Sequence, residues 1–267
     1  MNDFSDVDRS GRGSELLAYL DDAHQGLSEP KNAMRAGMPV SPGQDFLDLG
    51  CGAGHELVEL ERAGWRAIGV DSSDVMLDAS RRRLEALGLP ARLARADAHR
   101  LPFADASFAG CRIERVLQHV DDPAAVLAEA HRVLHPDGRL AALEPDWESL
   151  VLASSDTEAA RVVTGAVGRH IPHRQMGRQL RRLLIQAGFT DVRTEVELIV
   201  YSSLTELSHV ISLERAANAA WTGGLIPRKR AEALLAEQIA LSESGGFHAT
   251  FQRSVIAWAR KPRAVEC

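Results

Sequence analysis

A glycine-rich loop is the stretch of this sequence with the clearest chemical potential. The segment DLGCGAGHE, residues 48–56, carries Gly50, Gly52 and Gly54 directly behind a short apolar run. Glycine has no Cβ, so these positions permit a tight turn and let a ligand approach the backbone closely. The loop is predicted to follow the first strand and to open the first helix, where backbone N–H groups and the helix dipole face a ligand.

Three classes of ligand use such a loop, and the neighbouring residues separate them. A Walker phosphate loop requires GxxxxGK[ST] and is excluded, because the stretch contains no Lys. A dinucleotide fingerprint requires GxGxxG, and its third glycine falls on His55, so only a degenerate variant remains. The third pattern is GxGxG with Asp48 just upstream and Asp71 at the end of the second strand. Two acidic residues would repel a pyrophosphate but suit a ligand with a sulfonium, an ammonium and a neutral ribose.

The third pattern resembles that of the class I S-adenosylmethionine-dependent methyltransferases. Further segments resemble motifs of the small-molecule enzymes related to ubiquinone and menaquinone biosynthesis, in order and at the expected spacing. They are VDSSDVML (70–77), RADAHRLPFADASFAGCRIERVLQHVDDP (95–123) and HRVLHPDGRLAALEPD (131–146). The resemblance covers about residues 44–146, and LRRLLIQAGFTDV (180–192) continues it more loosely. It implies S-adenosyl-L-methionine as the cofactor and S-adenosyl-L-homocysteine as its product.

The resemblance also implies which residues hold the cofactor. Asp71 would bind the ribose hydroxyls, and Met76 would pack on the adenine. Asp97 would accept a hydrogen bond from the adenine amino group, with Ala98 beside the ring. The predicted cofactor-binding residues are Asp48, Gly50, Cys51, Gly52, Gly54, Asp71, Ser72, Met76, Asp97, Ala98, Glu114 and Arg115.

Some of these positions have a second interpretation. Asp71 could cap the helix that follows it, although Ser72 or Ser73 could do so instead. Asp48 could bond either N–H groups of the loop or the amine of the ligand. Cys51 has no base or metal partner at motif distance, so it could simply fill space in the loop.

The methyl acceptor is expected at the exits of the fourth and fifth strands, because open α/β sheets bind ligands outside the carboxyl ends of their strands. Methyl transfer mainly requires alignment of acceptor and methyl, and an oxygen or carbon acceptor also gains from a base. His119 and Glu144 are the catalytic candidates, although His119 could instead contact the cofactor or close the loop. The residues predicted to bind the acceptor are Gln118, Asp146, Trp147, His173 and Trp221.

The acceptor candidates also have simpler structural interpretations. The segment 168–182, which includes His173, concentrates Arg and His and could orient an anionic acceptor or form a solvated helix face. Trp147 could present a flat apolar surface to an aromatic or prenyl-like acceptor, or pack in the core. Trp221 lies in WTGGLIP, whose glycines could act as a hinge for a closing loop.

Alternating strands and helices must position these residues. Strands are predicted at 45–50, 65–71, 91–97, 107–114, 139–145, 189–202 and 247–261. Helices are predicted at 14–27, 53–64, 72–88, 121–138, 157–170, 174–188, 204–221 and 227–244. Strands separated by helical segments of this length indicate crossovers and a parallel sheet. We expect an α/β, Rossmann-like, doubly wound sheet of seven strands, mainly parallel, with the last strand antiparallel.

The predicted domain organisation follows from the pattern after residue 150, where strands and helices no longer alternate regularly. Residues 203–246 separate the last two strands by 44 residues, far more than a hairpin loop. They are predicted to form a helical substrate cap inserted into a methyltransferase domain at 44–202 and 247–267. Residues 1–43 would form an N-terminal tail and a cap helix, with 1–12 poorly ordered.

Composition limits the partners and the compartment. The formal net charge of the 267 residues is −6, which disfavours nucleic acid and anionic membranes as partners. Cys51, Cys111 and Cys267 contain no CxxC pair, so neither a disulfide framework nor a metal site is expected. The N-terminus lacks the apolar region of a signal peptide, and no apolar run approaches the ~20 residues of a membrane span. A soluble cytoplasmic protein is expected, and its oligomeric state stays open.

The function predicted from the sequence is methyl transfer to a small organic acceptor, either a specialised metabolite or a quinone-like ring. One alternative is a degenerate NAD-binding dehydrogenase. The other is a protein that binds S-adenosylmethionine without transferring its methyl group. A nucleic-acid or protein methyltransferase is disfavoured by the acidic charge and by ERVLQHV, 114–120, in place of an NPPY-type loop.

Overall fold

The computed structural model of the protein describes residues 7–11, 13–39 and 41–263. Two compact units make up the chain. The first unit comprises Met1–Glu144, Met176–Glu195 and Ile256–Cys267, and the second comprises Pro145–Gln175 and Val196–Val255. Within the described ranges, no helix is long and apolar enough to cross a bilayer.

Strands and helices alternate through the first half of the chain. The strands are β1 (Asp45–Leu49), β2 (Arg66–Asp71), β3 (Leu93–Arg95), β4 (Phe108–Glu114), β5 (Leu134–Glu144), β6 (Val151–Leu152), β7 (Thr190–Tyr201) and β8 (Ala249–Arg260). The helices are α1 (Val7–Ser10), α2 (Gly13–Gly26), α3 (Ser28–Ala36), α4 (His55–Arg62), α5 (Asp74–Ala86), α6 (Pro123–Val133), α7 (Thr157–Thr164), α8 (Met176–Gln186), α9 (Leu204–Ser208), α10 (Leu213–Thr222) and α11 (Arg228–Ser244).

The first unit is built on a sheet with the strand order β3-β2-β1-β4-β5-β8. Strand β1 pairs in parallel with β2 and β4, β2 pairs in parallel with β3, and β4 pairs in parallel with β5. Phe46, Leu47 and Leu49 of β1 are almost fully buried, as expected for a strand whose two faces are both covered. The predicted Rossmann-like α/β fold is confirmed.

Local signals in the sequence explain where the helices of this unit begin. Asp122 caps α6 by accepting from the N–H groups of Ala124 and Ala125 at 3.0 and 3.1 Å. Pro123 occupies the first helical turn, where its missing N–H costs no hydrogen bond. Helix α6 therefore starts where the sequence predicts, and it returns the chain to β5.

The second unit has its own apolar core. Strand β6 pairs antiparallel with the first residues of β8, Val151 with Thr250, and helix α10 packs against α7 and α11. Trp147, Phe251, Ala217 and Leu234 are among its buried residues. The predicted insertion at 203–246 lies within this unit together with 145–175, and its role as a cap stays a prediction.

Several local predictions need correction. The helix predicted at 121–138 ends at Val133, because residues 134–138 belong to β5, and the helix predicted at 157–170 ends at Thr164. Residues 7–10, predicted to be poorly ordered, form α1, and helix α3 lies in a stretch for which no element is predicted. The helix predicted at 204–221 is two helices, α9 and α10, because Ser212 caps a second start by accepting the N–H of Arg215 at 3.2 Å. The two-residue strand β6 is an eighth strand beside the seven predicted.

Candidate functional site

A cavity of about 460 Å³ opens in the first unit at the carboxyl ends of β1, β2 and β4. Its wall consists of the glycine loop, the start of α5, the segment after β3 and the loop after β4. Val7, Leu20 and Lys31 of the N-terminal helices complete it. Open α/β sheets bind ligands at this edge, and pockets of this size hold small organic ligands or cofactors.

The glycine loop has a backbone conformation that other residues adopt only with strain. The φ angles of Gly50, Gly52 and Gly54 are +77°, +49° and +77°. A Cβ on Gly50 would lie 2.2 Å from Cγ2 of Val116 in the loop after β4. The N–H of Gly50 donates to the carbonyl of Val70 at 2.8 Å. The loop is therefore held between β2 and the loop after β4, and the missing Cβ atoms make this close approach possible.

The carboxylate of Asp71 joins the end of β2 to the glycine loop. Oδ2 accepts the N–H of Gly52 at 2.9 Å, and Oδ1 accepts the N–H of Ser73 at 3.0 Å. Burial raises the pKa of Asp71, and these two amides oppose the shift. The side-chain cap of α5 is Ser73, whose Oγ accepts the N–H of Met76 at 3.2 Å. A cavity-lining carboxylate of this kind is suited to accept from the hydroxyls of a ribose.

A cluster of opposite charges is buried beside the cavity. Arg112 donates to Oδ1 of Asp48 at 2.9 Å and also pairs with Glu114. Nζ of Lys31 lies 3.0 Å from Oε1 of Glu114 and 3.8 Å from Oε1 of Glu56. Burial raises the pKa of Asp48 to about 6 against the attraction of Arg112. Burial would also raise the pKa of Glu114, but the charges of Arg112 and Lys31 lower it to about 2.

The buried atoms of this cluster that lack a hydrogen-bond partner among the described residues include one acceptor and one donor, Oδ2 of Asp48 and Nε of Arg112. Buried polar groups are normally satisfied, so such atoms call for an explanation. One atom accepts and the other donates, which matches the ammonium and the carboxylate of an amino acid. The groups present therefore fit the methionine end of S-adenosylmethionine.

The cavity wall also contains the carboxylate of Asp97, which His99 contacts. Nδ1 of His99 lies 2.6 Å from Oδ1 of Asp97, and the backbone N–H of His99 donates to the same oxygen at 2.9 Å. The N–H of Asp122 donates to Nε2 of His99 at 3.3 Å, which assigns the ring proton of the neutral form to Nδ1. The backbone N–H of His99 lowers the pKa of Asp97. An ionised acceptor at this position suits an amino donor such as adenine.

The same stretch of chain matches a known family. Residues 47–142 match the model described as a methyltransferase domain. This segment belongs to the methyltransferase domain family. An uncharacterized 37.1 kDa protein in transposon TN4556 of Streptomyces fradiae is 42% identical over 203 residues, 74% of this chain and 58% of that protein. The demethylmenaquinone methyltransferase of Thermus thermophilus is 42% identical over 101 residues, 37% of this chain and 46% of that protein. The chain thus spans roughly half the length of these curated relatives.

Solved structures agree on the fold of the methyltransferase domain. Phosphoethanolamine N-methyltransferase 2 of Haemonchus contortus, in complex with S-adenosyl-L-methionine, has a TM-score of 0.60 at 19% identity, over 98% of this chain and 60% of that chain. The [4+2]-cyclase SpnF has a TM-score of 0.54 at 20% identity, over 90% of this chain and 83% of that chain. At such identities the likeness shows the fold alone, and a cyclase with this fold means that the fold does not by itself establish methyl transfer.

The methyltransferase domain gathers most of the predicted cofactor residues at one cavity. Gly54 caps α4, and Asp48 lies in the buried charge cluster. Burial raises the pKa of the Cys51 thiol well above its usual range. The thiol therefore stays protonated, which agrees with a residue that only fills space in the loop. The predicted residues that line the cavity are Gly50, Cys51, Gly52, Asp71, Ser72, Met76, Asp97, Ala98, Glu114 and Arg115, together with the catalytic candidate His119.

Four predicted residues of the first unit lie outside this lining, namely Asp48, Gly54, Gln118 and Glu144. Glu144, the last residue of β5, is fully buried, and its Oε1 accepts the N–H of Leu117 at 2.7 Å. Gln118 is also fully buried. Gln118 belongs to the loop after β4, and Glu144 accepts a hydrogen bond from that loop, whose residues Val116 and His119 line the cavity.

The remaining acceptor candidates belong to the second unit. Oδ1 of Asp146 accepts the N–H of Glu148 at 3.2 Å and caps a short 3₁₀ turn. Trp147 is buried, with its ring centroid 5.5 Å from that of Phe251. His173 lies in the segment that follows α7 along the chain and is partly buried. Trp221 is exposed and lies under the guanidinium of Arg228. Their contact with an acceptor stays a prediction.

Several cavity residues were missed by the sequence analysis. Lys31 comes from the unpredicted helix α3, and Arg112 interrupts the buried strand FAGCRIE. A charged residue inside an otherwise buried strand is the one signal that could have identified Arg112, since such charges are almost always paired. His99 lies beside Asp97 in the motif and carries no signal of its own. In the described part of the chain, no group of three or more His, Cys, Asp or Glu side chains could hold a metal ion.

Proposed function

We propose that the protein is an S-adenosylmethionine-dependent methyltransferase that acts on a small organic acceptor, either a specialised metabolite or a quinone-like ring. One observation carries the proposal: ten of the twelve predicted cofactor residues, which come from three separate segments of the sequence, line a single cavity. The family of residues 47–142 supports the same assignment. The acidic charge of −6 favours a small acceptor over nucleic acid.

The cavity would hold the nucleoside along one wall. Asp71 would accept from the ribose hydroxyls, with its position set by the N–H groups of Gly52 and Ser73. Met76, which is buried against the N-terminal helices, would pack on the adenine ring. Asp97, held ionised by His99, would accept from the adenine amino group.

The buried charge cluster would hold the methionine end. Oδ2 of Asp48 would accept from the ammonium, and Nε of Arg112 would donate to the carboxylate, because both atoms lack a hydrogen-bond partner among the described residues. When bound, the sulfonium supplies an activated methyl group, which an acceptor lone pair attacks as the C–S bond breaks and sulfur keeps the electron pair. The task of the chain is to hold the acceptor in line with that bond.

His119 is the group proposed to take up the acceptor proton. It lines the cavity in the loop after β4, and histidine titrates near neutral pH in its ordinary state. Asp146, Trp147, His173 and Trp221 of the second unit are proposed to contact the acceptor, with 203–246 as its cap. This part of the proposal rests on the order of the motifs along the chain.

Ligand binding is the first test. S-adenosylhomocysteine is expected to raise the melting temperature in proportion to RT ln(1 + [L]/Kd), whereas NAD and NADP at equal concentration are expected to leave it unchanged. Isothermal titration would then give the dissociation constant. Stabilisation by NAD without stabilisation by S-adenosylhomocysteine would replace the proposal with the dehydrogenase.

Turnover is the second test. The protein would be incubated with S-adenosylmethionine and a panel of phenols, hydroquinones and amines, and S-adenosylhomocysteine formation would be measured by mass spectrometry. The proposal expects acceptor-dependent formation that is reduced in a His119→Ala variant. Tight binding of S-adenosylhomocysteine without turnover of any acceptor in a broad panel would instead favour a protein that binds the cofactor without methylating.

A further inference from the structure

The loop that follows β4 forms part of the cavity wall and is held from its inner side. Arg115, Val116 and His119 line the cavity. The N–H of Arg115 donates to the carbonyl of Leu143 at 2.8 Å, and Arg115 has a φ of +55°. A left-handed residue next to consecutive amides is a geometry that collects N–H groups on one side of the chain. The amides that follow Arg115 therefore need an acceptor behind the loop.

Glu144 supplies that acceptor. Its Oε1 accepts the N–H of Leu117 at 2.7 Å, and the N–H groups of Val116 and Gln118 also stabilise its ionised form. Glu144 is fully buried and lies outside the cavity lining. The carboxyl group thus accepts one hydrogen bond from the loop, from Leu117, and the amides on either side of Leu117 favour its ionised form.

Movement of the loop after β4 would directly displace the glycine loop. A Cβ on Gly50 would lie 2.2 Å from Cγ2 of Val116, so the glycine loop is in close contact with the residue that Glu144 holds. Protein interiors are packed too densely to absorb a shift at such a contact without moving both partners. The position of Val116 therefore constrains the glycine loop on one side. His119 belongs to the loop after β4, as Val116 does, so the position of that loop also determines where His119 lies.

The chemistry of Glu144 agrees with holding the loop and disagrees with accepting a proton from an acceptor. Burial raises the pKa of Glu144 to about 8, so the group is largely the neutral acid at neutral pH. The opposing influences include the loop amides and the positive charge of Arg115. A neutral acid still accepts N–H groups through its carbonyl oxygen, but a general base must be ionised and within reach of the substrate.

We infer that Glu144 is a positioning residue, which holds the loop Arg115–His119 against the glycine loop and acts on the cofactor site only through that loop. This inference rests on the proposed function, because it deepens the account of the same cavity. It assigns Glu144 a different role from the base that the sequence suggested. The role depends on an oxygen acceptor at this position rather than on a negative charge.

Two variants with side chains of similar volume test whether the loop needs an oxygen acceptor or a negative charge at position 144. Glu144→Gln keeps an oxygen acceptor for Leu117, and Glu144→Met removes it. Hydrogen exchange of residues 112–122 and the dissociation constant of S-adenosylhomocysteine would be measured for both variants. Leaving buried amides without an acceptor is costly, so Glu144→Met is expected to exchange about tenfold faster in the loop and to bind about tenfold more weakly. Glu144→Gln is expected to stay within about threefold of the wild type in both measurements.

The inference is overturned by either of two results. One is wild-type exchange and affinity in Glu144→Met, and the other is a Glu144→Gln variant as defective as Glu144→Met. Should Glu144→Met not fold, Glu144→Gln decides alone: wild-type loop exchange supports the inference, and faster exchange overturns it. Exchange is measured without ligand, so it remains decisive if S-adenosylhomocysteine does not bind. Failure of the wild type to bind would count against the proposed function instead.

Discussion

Asp48 and Arg112 are register partners on the parallel strands β1 and β4, and their side chains form an ion pair of 2.9 Å beside the cavity. Both are almost fully buried. A buried pair of this kind costs desolvation energy, which Coulomb attraction and good geometry only partly offset. Oδ2 of Asp48 and Nε of Arg112 lack a hydrogen-bond partner among the described residues, and Arg112 lines the cavity. The proposed role of the pair in holding the cofactor makes two predictions that separate binding from stability.

Removal of one partner is expected to be strongly destabilising. Arg112→Met leaves Asp48 buried without its cation, and breaking such a pair costs about 3–5 kcal/mol. The loss should be larger at pH 8 than at pH 5. Because the folded pKa of Asp48 is already raised to about 6, loss of Arg112 raises it further, and stability falls as pH rises through that window. Urea denaturation at the two pH values measures both effects.

The double variant Asp48→Asn, Arg112→Met is the control for this prediction. Without the buried carboxylate, much of the stability lost in Arg112→Met is expected to return, while binding of S-adenosylhomocysteine stays weak. A double variant that is less stable than Arg112→Met would contradict the account. Wild-type affinity in the double variant would remove both residues from the cofactor site.

Asp71 is expected to determine affinity for the nucleoside. Hydrogen bonds to a charged group contribute about 1.5–3 kcal/mol, so Asp71→Asn should weaken binding of S-adenosylhomocysteine by about one to two orders of magnitude. The matched control is Asp78→Asn on α5, an exposed acid that pairs with Arg81 outside the cavity. Isothermal titration of both variants gives the comparison. Equal affinities in the two variants would show that Asp71 serves only the turn after β2.

Sequence reasoning succeeded where the signal is local. The glycine loop, the end of β2 at Asp71 and the cap of α6 at Asp122 follow from residue types at short spacing. It failed where the outcome depends on tertiary contacts. Lys31 reaches Glu114 across 83 positions of sequence, and no periodicity reports such a pair. Apolar spacing also continues through 204–221, so the second cap at Ser212 is visible only in the structure.

The N-terminal helix α1 is expected to stabilise α5 through Asp8. Asp8 accepts from Oγ of Ser73 at 2.6 Å and from the N–H groups of Asp74 and Val75 at 3.0 and 3.2 Å. Loss of a cap costs about 0.5–2 kcal/mol, so Asp8→Ala should lower the free energy of unfolding by that amount at pH 7. The bond from Ser73 lowers the pKa of Asp8, so this stabilisation is present above the ordinary pKa of 3.8 and is lost as pH falls through the folded value.

Urea denaturation of wild type and Asp8→Ala at pH 7 and at pH 3 tests whether the stabilisation by Asp8 is lost at low pH. The two proteins should differ at pH 7, and the difference should be smaller at pH 3, which lies below the ordinary pKa of 3.8. Asp8→Ala is also expected to increase hydrogen exchange at Asp74 and Val75, because both amides lose an acceptor. Identical exchange at these two positions would show that α1 does not cap α5 in solution.

The buried carboxyl of Glu144 predicts a pH dependence of opposite sign. Burial raises its pKa from the ordinary 4.5 to about 8, so the folded state keeps a proton that the unfolded state releases between these values. The contribution of Glu144 to stability is then largest below pH 4.5, falls by at most about 1.4 kcal/mol per pH unit, and levels off above pH 8. Glu144→Gln, which cannot ionise, should lack this decline. Urea denaturation of both proteins from pH 5 to pH 8.5 measures the difference, which should shift in favour of the variant as pH rises. A pH-independent difference would mean that Glu144 is already ionised in the folded protein.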